Sequence, residues 1–427
     1  MPGENTHPGP SLLVISALLA TMIAPGPASA QPPQGFTEAW REIRNAFHHR
    51  VEEEGIVGSS LWFAHKGRVL ASEFNGMADT EQGRPVDKNT IYHWASITKT
   101  FTGIAVMQLR DRGLLTLDDP LVHYLPELRK VHNPYGPMES ITIRHLLSHS
   151  AGFRGPTWPW GGDEPWHPHE PTTWAQLVGM MPYTEILFEP GSRYSYSNPG
   201  IIFLGEIIEE LTGDDIEVYV DKNILKPLGM YRSYYDRTPF HLLKHRSNNY
   251  YVTEGELVAN GLDFDTGITT ANGGLNAPIP DMVRYLGFLA GPGEGAEAAA
   301  PGTGVPYEEV LSRASLEEMW EPLQEVGESV PPGREGAEEP TVLREAMGLT
   351  FFILEYGDLR VIGHTGGQKA FVSFFYVDPL TGAAAIAAFN TLGMAEEGEP
   401  KPYTRRVLGE LRERLFREVF PLFRENR

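Results

Sequence analysis

Strand-type segments stand at both ends of this 427-residue chain, and the stretch between them reads as mainly helical. Ser59 to Phe74 has the pattern of a hairpin, with His65-Lys66-Gly67-Arg68 as a turn between Leu61-Trp62-Phe63-Ala64 and Val69-Leu70-Ala71. Near the other end, Leu359 to Ile362 and Phe371 to Val377 read as strands. Asp378-Pro379-Leu380-Thr381-Gly382 reads as a turn, and Ala383 to Phe389 as the return strand. Between them, helices are predicted near 96–112, 142–148, 199–211, 215–224 and 279–290. Amphipathic helices at Phe36 to Glu54 and Tyr403 to Phe423 flank the whole. This order predicts an α+β fold in which one sheet is closed by the two chain ends. The helical region, approximately 95–340, is an insertion and not an independent domain.

Composition narrows the partners. With 41% hydrophobic residues the chain can bury a sizeable core, and its net charge of −21 opposes phosphate backbones and anionic lipid, so no nucleic acid is expected. The absence of cysteine excludes disulfides, thiolate metal sites and a cysteine nucleophile. Residues 1–30 read as a signal peptide: an apolar run from Leu12 to Ile23, then Pro25 and Pro27, then Ala28-Ser29-Ala30 as a cleavage site. The run is short of the roughly 20 residues that a spanning helix needs. The mature chain, 31–427, is therefore expected to be exported, periplasmic or secreted, with no integral membrane span. Two stretches rich in Gly, Pro, Ala and Glu, Gly291 to Gly304 and Glu325 to Pro340, are expected as mobile surface loops. Phe153 to Tyr183 carries Trp158, Trp160, Trp166 and Trp174, and reads either as a loop pinned by its own aromatics or as a substrate-facing lid.

Chemistry concentrates in three short motifs. Ser96-Ile97-Thr98-Lys99 opens a predicted helix, so Ser96 falls at or near its cap with Lys99 one turn later on the same face. A serine hydroxyl is a poor nucleophile until a neighbour takes its proton, and a lysine can do so only when burial or adjacent charge lowers its pKa. The tetrapeptide alone is a pattern that chance supplies. Further on, Tyr196-Ser197-Asn198 precedes a strongly apolar helix; in an extended segment Tyr196 and Asn198 point the same way. A tyrosine beside an ammonium is expected to favour phenolate and to shuttle protons, and an asparagine offers a donor and an acceptor to a substrate amide. His364-Thr365-Gly366-Gly367 lies between two strand-like segments, where glycines allow close approach of a substrate backbone. Taken singly, these motifs also fit a buried tyrosine with a helix-capping asparagine, and a plain glycine turn.

In this order, Ser-x-x-Lys, Tyr-x-Asn and His-Thr-Gly resemble the serine β-lactamase, penicillin-binding protein and esterase superfamily, nearest its class C β-lactamase and DD-peptidase branch. Supporting stretches are Ile141 to Gly152, Leu225 to Met230 and Gly273-Gly274-Leu275. The resemblance implies an antiparallel sheet flanked by the terminal helices, with an all-helical region beside it and the site between. It also implies that Ser96 is acylated and that Lys99 and Tyr196 share base and acid duties, which of them being the acylation base staying open. Asn198 would hold the substrate amide. His364 and Thr365 would meet the substrate carboxylate or leaving group, and Gly366 and Gly367 would line the substrate edge. The N–H groups of Ser96 and Gly367 would form an oxyanion hole.

Many members have lysine where this chain has His364. Histidine titrates near neutrality, so attraction for an anionic substrate is weaker and the rate is expected to change with His364 between about pH 5.5 and 8. A D-amino-acid peptidase or esterase is thus favoured over a true β-lactamase, and both over a silent binding or regulatory module. The expected partner is a small-molecule or peptide substrate, with no cofactor and no metal. His145 and His149, spaced i and i+4 on one predicted helical face, lack the glutamate of a zinc-protease motif and read, with His167 and His169 nearby, as structure. Nothing in the residues sets an oligomeric state.

Overall fold

Phe36, Trp40, Ile43, Phe47 and Val51 recur every three or four residues and are the buried positions of helix α1, Phe36–Glu53. Four further helices matter here: α2 Thr98–Asp111, α3 Asn198–Thr212, α4 Ile279–Ala290 and α5 Thr404–Glu418. The coordinates are a computed structural model that describes residues 32–155, 171–253, 256–261, 266–291, 299–330, 341–393 and 404–425. The expected signal peptide, residues 331–340, and Trp158, Trp160, Trp166, His167 and His169 lie outside the described residues.

The main sheet is antiparallel and drawn from both chain ends. Its strands are β1 Gly58–His65, β2 Arg68–Asp79, β3 Arg84–Pro85, β4 Gln324–Ser329, β5 Leu343–Met347, β6 Phe352–Tyr356, β7 Leu359–Gln368, β8 Phe371–Val377 and β9 Ala383–Phe389. Their spatial order is β3-β2-β1-β9-β8-β7-β6-β5-β4, so the N-terminal hairpin joins the C-terminal strands through β1 and β9, from Ser59↔Phe389 to His65↔Ala383. Lys66 and Gly67, both at positive φ (50° and 72°), make the tight turn between β1 and β2.

Alternation assigns the strands to two cores. In β9, Ala384, Ile386 and Ala388 face one core, while Ala383, Ala385, Ala387 and Phe389 face the other. The first core is shared with α2, α3 and α4, the second with α1 and α5. A strand covered on both faces reads as a continuous apolar run, which is what Ala383 to Phe389 shows. Slipping β9 by one residue would turn Ile386 and Phe389 each into the opposite core, where a misfit of volume costs about 1–3 kcal/mol.

The expected sheet, its flanking terminal helices and the hairpin turns are present, with several differences. The His364–Gly367 motif does not separate two strands; it lies inside β7, paired to β8 from Ile362↔Val377 to Gln368↔Phe371. Glycine weakens a strand locally, but here pairing along β8 overrides that preference. The region 95–340 is not all helical. It contains a hairpin, Tyr250–Thr253 with Glu256–Ala259, and Leu275–Pro278 pairs with Ile91–His93 and Tyr234–Tyr235. Within the expected loop 325–340, Glu325 to Ser329 belong to the edge strand β4, held by pairing to β5. In the other expected loop, 292–298 lie outside the described residues, and Ala299 bridges Pro306. The terminal helix α5 stops at Glu418, with a separate turn at Leu422–Glu425 after Pro421, which cannot donate a helical hydrogen bond. Among the described residues no helix is long and apolar enough to cross a membrane.

Candidate active site

The chain enters the site through Trp94, pinned by its N–H to the Leu275 carbonyl (2.8 Å) and by its indole Nε1 to the Ala277 carbonyl (2.9 Å). Ala95 then takes φ +49°, a left-handed conformation disfavoured by its Cβ, and the 3-10 turn Ala95–Ile97 runs directly into α2. Thr98 holds this turn: its Oγ1 donates to the Ala95 carbonyl (2.6 Å) and accepts from the Leu275 N–H (3.1 Å). Ser96 therefore sits in a strained turn just ahead of α2, half-buried and reachable, and does not cap the helix.

Lys99 is fully buried, with Nζ 3.0 Å from Ser96 Oγ and 3.0 Å from the Asn272 carbonyl. The amine also lies 4.9 Å from the centroid of the Tyr196 ring. Burial pushes its pKa well below the usual lysine value, favouring a neutral amine able to accept a proton. Tyr196 hydrogen-bonds Ser96, yet burial raises its pKa, so the phenol stays protonated. Burial therefore opposes the expected phenolate beside an ammonium, because desolvation favours the neutral form of both the phenol and the amine.

Ser197 caps α3. Its Oγ accepts from the Gly200 N–H (3.3 Å) and donates to the Arg154 carbonyl (2.7 Å). This leaves the side chain of Asn198 available, and its Oδ1 accepts from Asn272 Nδ2 (3.1 Å). Tyr196, Asn198 and Lys99 are therefore joined to one another through Ser96 and Asn272.

Pairing of β6 with β7 ends at Phe352↔Gly363, so from His364 to Gln368 that edge of β7 runs beside the Ser96 turn. Gly366 is buried there because a Cβ would lie 2.2 Å from the Trp94 carbonyl oxygen. Thr365 and Gly367 are exposed on this stretch. His364 is buried at 2% exposure; its Nδ1 donates to the Thr365 carbonyl (2.6 Å), and Phe352 packs 5.1 Å from its ring. Burial lowers the His364 pKa to about 3. His364 is thus neutral throughout the physiological range, and the expected change of its charge between pH 5.5 and 8 does not occur.

Three residues beside the candidate site went unrecognised in the sequence. Asn272 directly precedes Gly273-Gly274, and that pair was its only signal. Arg405, on α5, places Nη2 within 3.5 Å of where a Gly367 Cβ would stand, a fixed positive charge where His364 has none. His149 is buried and stacks on Tyr196 at 4.4 Å. It does not share a helical face with His145, since that helix, Ile143–Leu147, ends first, and His145 is engaged in a capping box with Thr142. Among the described residues no group of three or more His, Asp or Glu side chains is arranged to hold a metal ion.

The chain belongs to the Beta-lactamase family, a model of which matches residues 43–410. It is 31% identical over 192 residues to esterase EstB of Burkholderia gladioli, an alignment covering 43% of this chain and 48% of that protein. Penicillin-binding protein 4* of Bacillus subtilis is 27% identical over 258 residues, covering 57% and 54% respectively. The chain spans about half the length of these curated relatives. Among solved structures, the octameric penicillin-binding protein homologue from Pyrococcus abyssi superposes with a TM-score of 0.66 at 26% identity, covering 91% of this chain and 80% of that one.

Proposed function

We propose that this protein is a serine hydrolase that cleaves an ester or amide through an acyl-enzyme on Ser96, in the manner of an esterase or D-amino-acid peptidase. The observation that carries the reading is the buried Lys99 amine 3.0 Å from Ser96 Oγ. As the neutral base, Lys99 takes the Ser96 proton while Oγ attacks the substrate carbonyl carbon. The N–H groups of Ser96 and Gly367 receive the oxyanion, an interaction worth several kcal/mol in related chemistry, about 2.7–4 for one donor. The protonated Tyr196 gives its proton to the departing oxygen or nitrogen and regains one from Lys99. A water molecule then repeats the sequence on the acyl carbon, returning the proton to Ser96.

Asn198 holds the substrate amide, and the neutral His364 with Thr365, Gly366 and Gly367 lines the edge along which substrate lies. The esterase name of one relative supports ester cleavage. The neutral His364 weighs against a β-lactamase that relies on a cation at that position. No cofactor or metal takes part in these steps. Residues 1–30 are proposed to direct export and to be removed.

Intact-mass analysis after treatment with a fluorophosphonate probe tests the reading. The wild-type chain should gain one adduct and Ser96→Ala none; an unlabelled wild type, or the same adduct on Ser96→Ala, overturns it. Rates on nitrocefin, a p-nitrophenyl ester and a D-alanyl peptide then rank the substrate classes.

A further inference from the structure

We infer that His149 is a positioning residue for Tyr196, fixing which residue of the segment 195–197 faces Ser96. The inference rests on the proposed acyl-enzyme chemistry and extends it to a residue that touches no reacting atom. His149 lies two positions past its helix, at φ +52°, and is 1% exposed. From there it grips the neighbouring segment twice. Its carbonyl accepts the Ser195 N–H at 2.8 Å, and its ring Nδ1 accepts the Ser197 N–H at 3.2 Å. In an extended segment the N–H groups of alternate residues emerge on one edge, so these two bonds bracket Tyr196 and forbid a one-residue slip. Between them the imidazole covers the phenol, with ring centroids 4.4 Å apart and planes inclined by 30°.

The device works only with an unprotonated Nδ1. Burial holds the His149 pKa well below the usual histidine value. The titratable groups that face the ring are Lys99 from α2, Tyr194 and Tyr196 from the gripped segment, and His364 from β7. None carries a carboxylate that would draw a proton onto the ring.

Two substitutions separate the parts of this grip. His149→Phe keeps a ring over Tyr196 and loses the acceptor. His149→Asn restores an acceptor near Nδ1 and suits the positive φ, but removes the stack. Each is combined with Tyr196→Phe in a double-mutant cycle read by kcat and KM for p-nitrophenyl ester hydrolysis from pH 5 to 10, alongside fluorophosphonate labelling of wild type and Ser96→Ala.

His149→Phe is expected to lower kcat at least tenfold with KM within about twofold, and to move the alkaline limb of the kcat profile. His149→Asn should recover part of kcat, and either change should cost little once Tyr196 is Phe. Losses that multiply fully in the Tyr196→Phe background, or wild-type kcat and pH profile in folded His149→Phe, overturn the inference. Should His149→Phe not fold, the cycle with His149→Asn decides in the same way. Ser96-dependent labelling together with multiplying losses removes the role of His149 alone, whereas an unlabelled wild type removes the catalytic reading and this inference with it.

Discussion

Lys99 Nζ stands 3.0 Å from both Ser96 Oγ and the Asn272 carbonyl, and among the described residues no carboxylate forms an ion pair with it. A buried amine with only neutral partners favours the uncharged form, which is the state a general base requires. Lys99→Met should therefore reduce ester turnover about 10²–10⁴-fold, measured as kcat/KM. Retention of wild-type turnover would show that the proton goes elsewhere.

The same burial links Lys99 to stability. Its folded pKa is below the unfolded value of about 10.4, so the folded chain binds fewer protons than the unfolded chain between those two values. Wild-type stability consequently falls as pH drops from about 10.5 toward the lowered value. Lys99→Met has no such dependence at this site. The Tm of Lys99→Met relative to wild type should be higher at pH 7 than at pH 10.5; a constant difference would mean that Lys99 is not held neutral by the fold.

Among the described residues three histidines are buried where the uncharged form is favoured: His93 and His364, each lowered to about 3, and His149, lowered well below its usual value. In each case burial is the main cause. Their stabilising neutrality is present above the unfolded pKa of about 6.5 and is lost as pH falls toward the folded values, at up to about 1.4 kcal/mol per pH unit for each. Urea midpoints should fall between pH 6.5 and 4, less steeply in His364→Asn. Turnover, in contrast, should show no ionisation belonging to His364 between pH 5 and 8, so wild type and His364→Asn should have profiles of the same shape there.

Adjacent glycines in β7 should respond differently to alanine. At Gly366 the new Cβ would stand 2.2 Å from the Trp94 carbonyl oxygen, whereas at Gly367 the nearest atom is Arg405 Nη2 at 3.5 Å, an ordinary contact. Gly366→Ala is expected to destabilise by about 1–3 kcal/mol and to displace the Ser96 turn. Gly367→Ala should keep wild-type stability. Chemical denaturation of both variants checks the contrast, and equal midpoints would mean that the strand does not press on Trp94.

Arg405 supplies positive charge beside Gly367 from an exposed position. Arg405→Ala should raise KM for a D-alanyl peptide with a free carboxylate about two- to fivefold, in keeping with a solvent-screened contact, and leave a neutral ester unaffected. Equal changes for both substrates would deny Arg405 a part in anion recognition.

Local pattern was enough for much of the architecture. The spacing of Phe36, Trp40, Ile43 and Phe47 defined α1, and Lys66-Gly67 and Asp378 to Gly382 marked two hairpin turns. Near-continuous apolar runs, apolar because both faces are covered, marked β8 and β9. Strands β4, β5 and β6 were not legible. Their residues are mixed in polarity because they approach the sheet edge, and β4 borders the Gly-, Pro- and Glu-rich stretch that dominated its reading. Gly366 and Gly367 resembled a turn for the same reason, since composition does not reveal the pairing partner that extends a strand.

By itself the sequence determined that both chain ends join one sheet and that Ser96 and Lys99 share a turn, because both follow from spacing along the chain. Tertiary structure alone decided that Lys99, Tyr196 and His364 are each buried where desolvation favours the uncharged form. It also brought His149, Asn272 and Arg405 to the site from distant segments. Ionisation depends on how much water and which charges surround a group, and those surroundings exist only once the segments pack together.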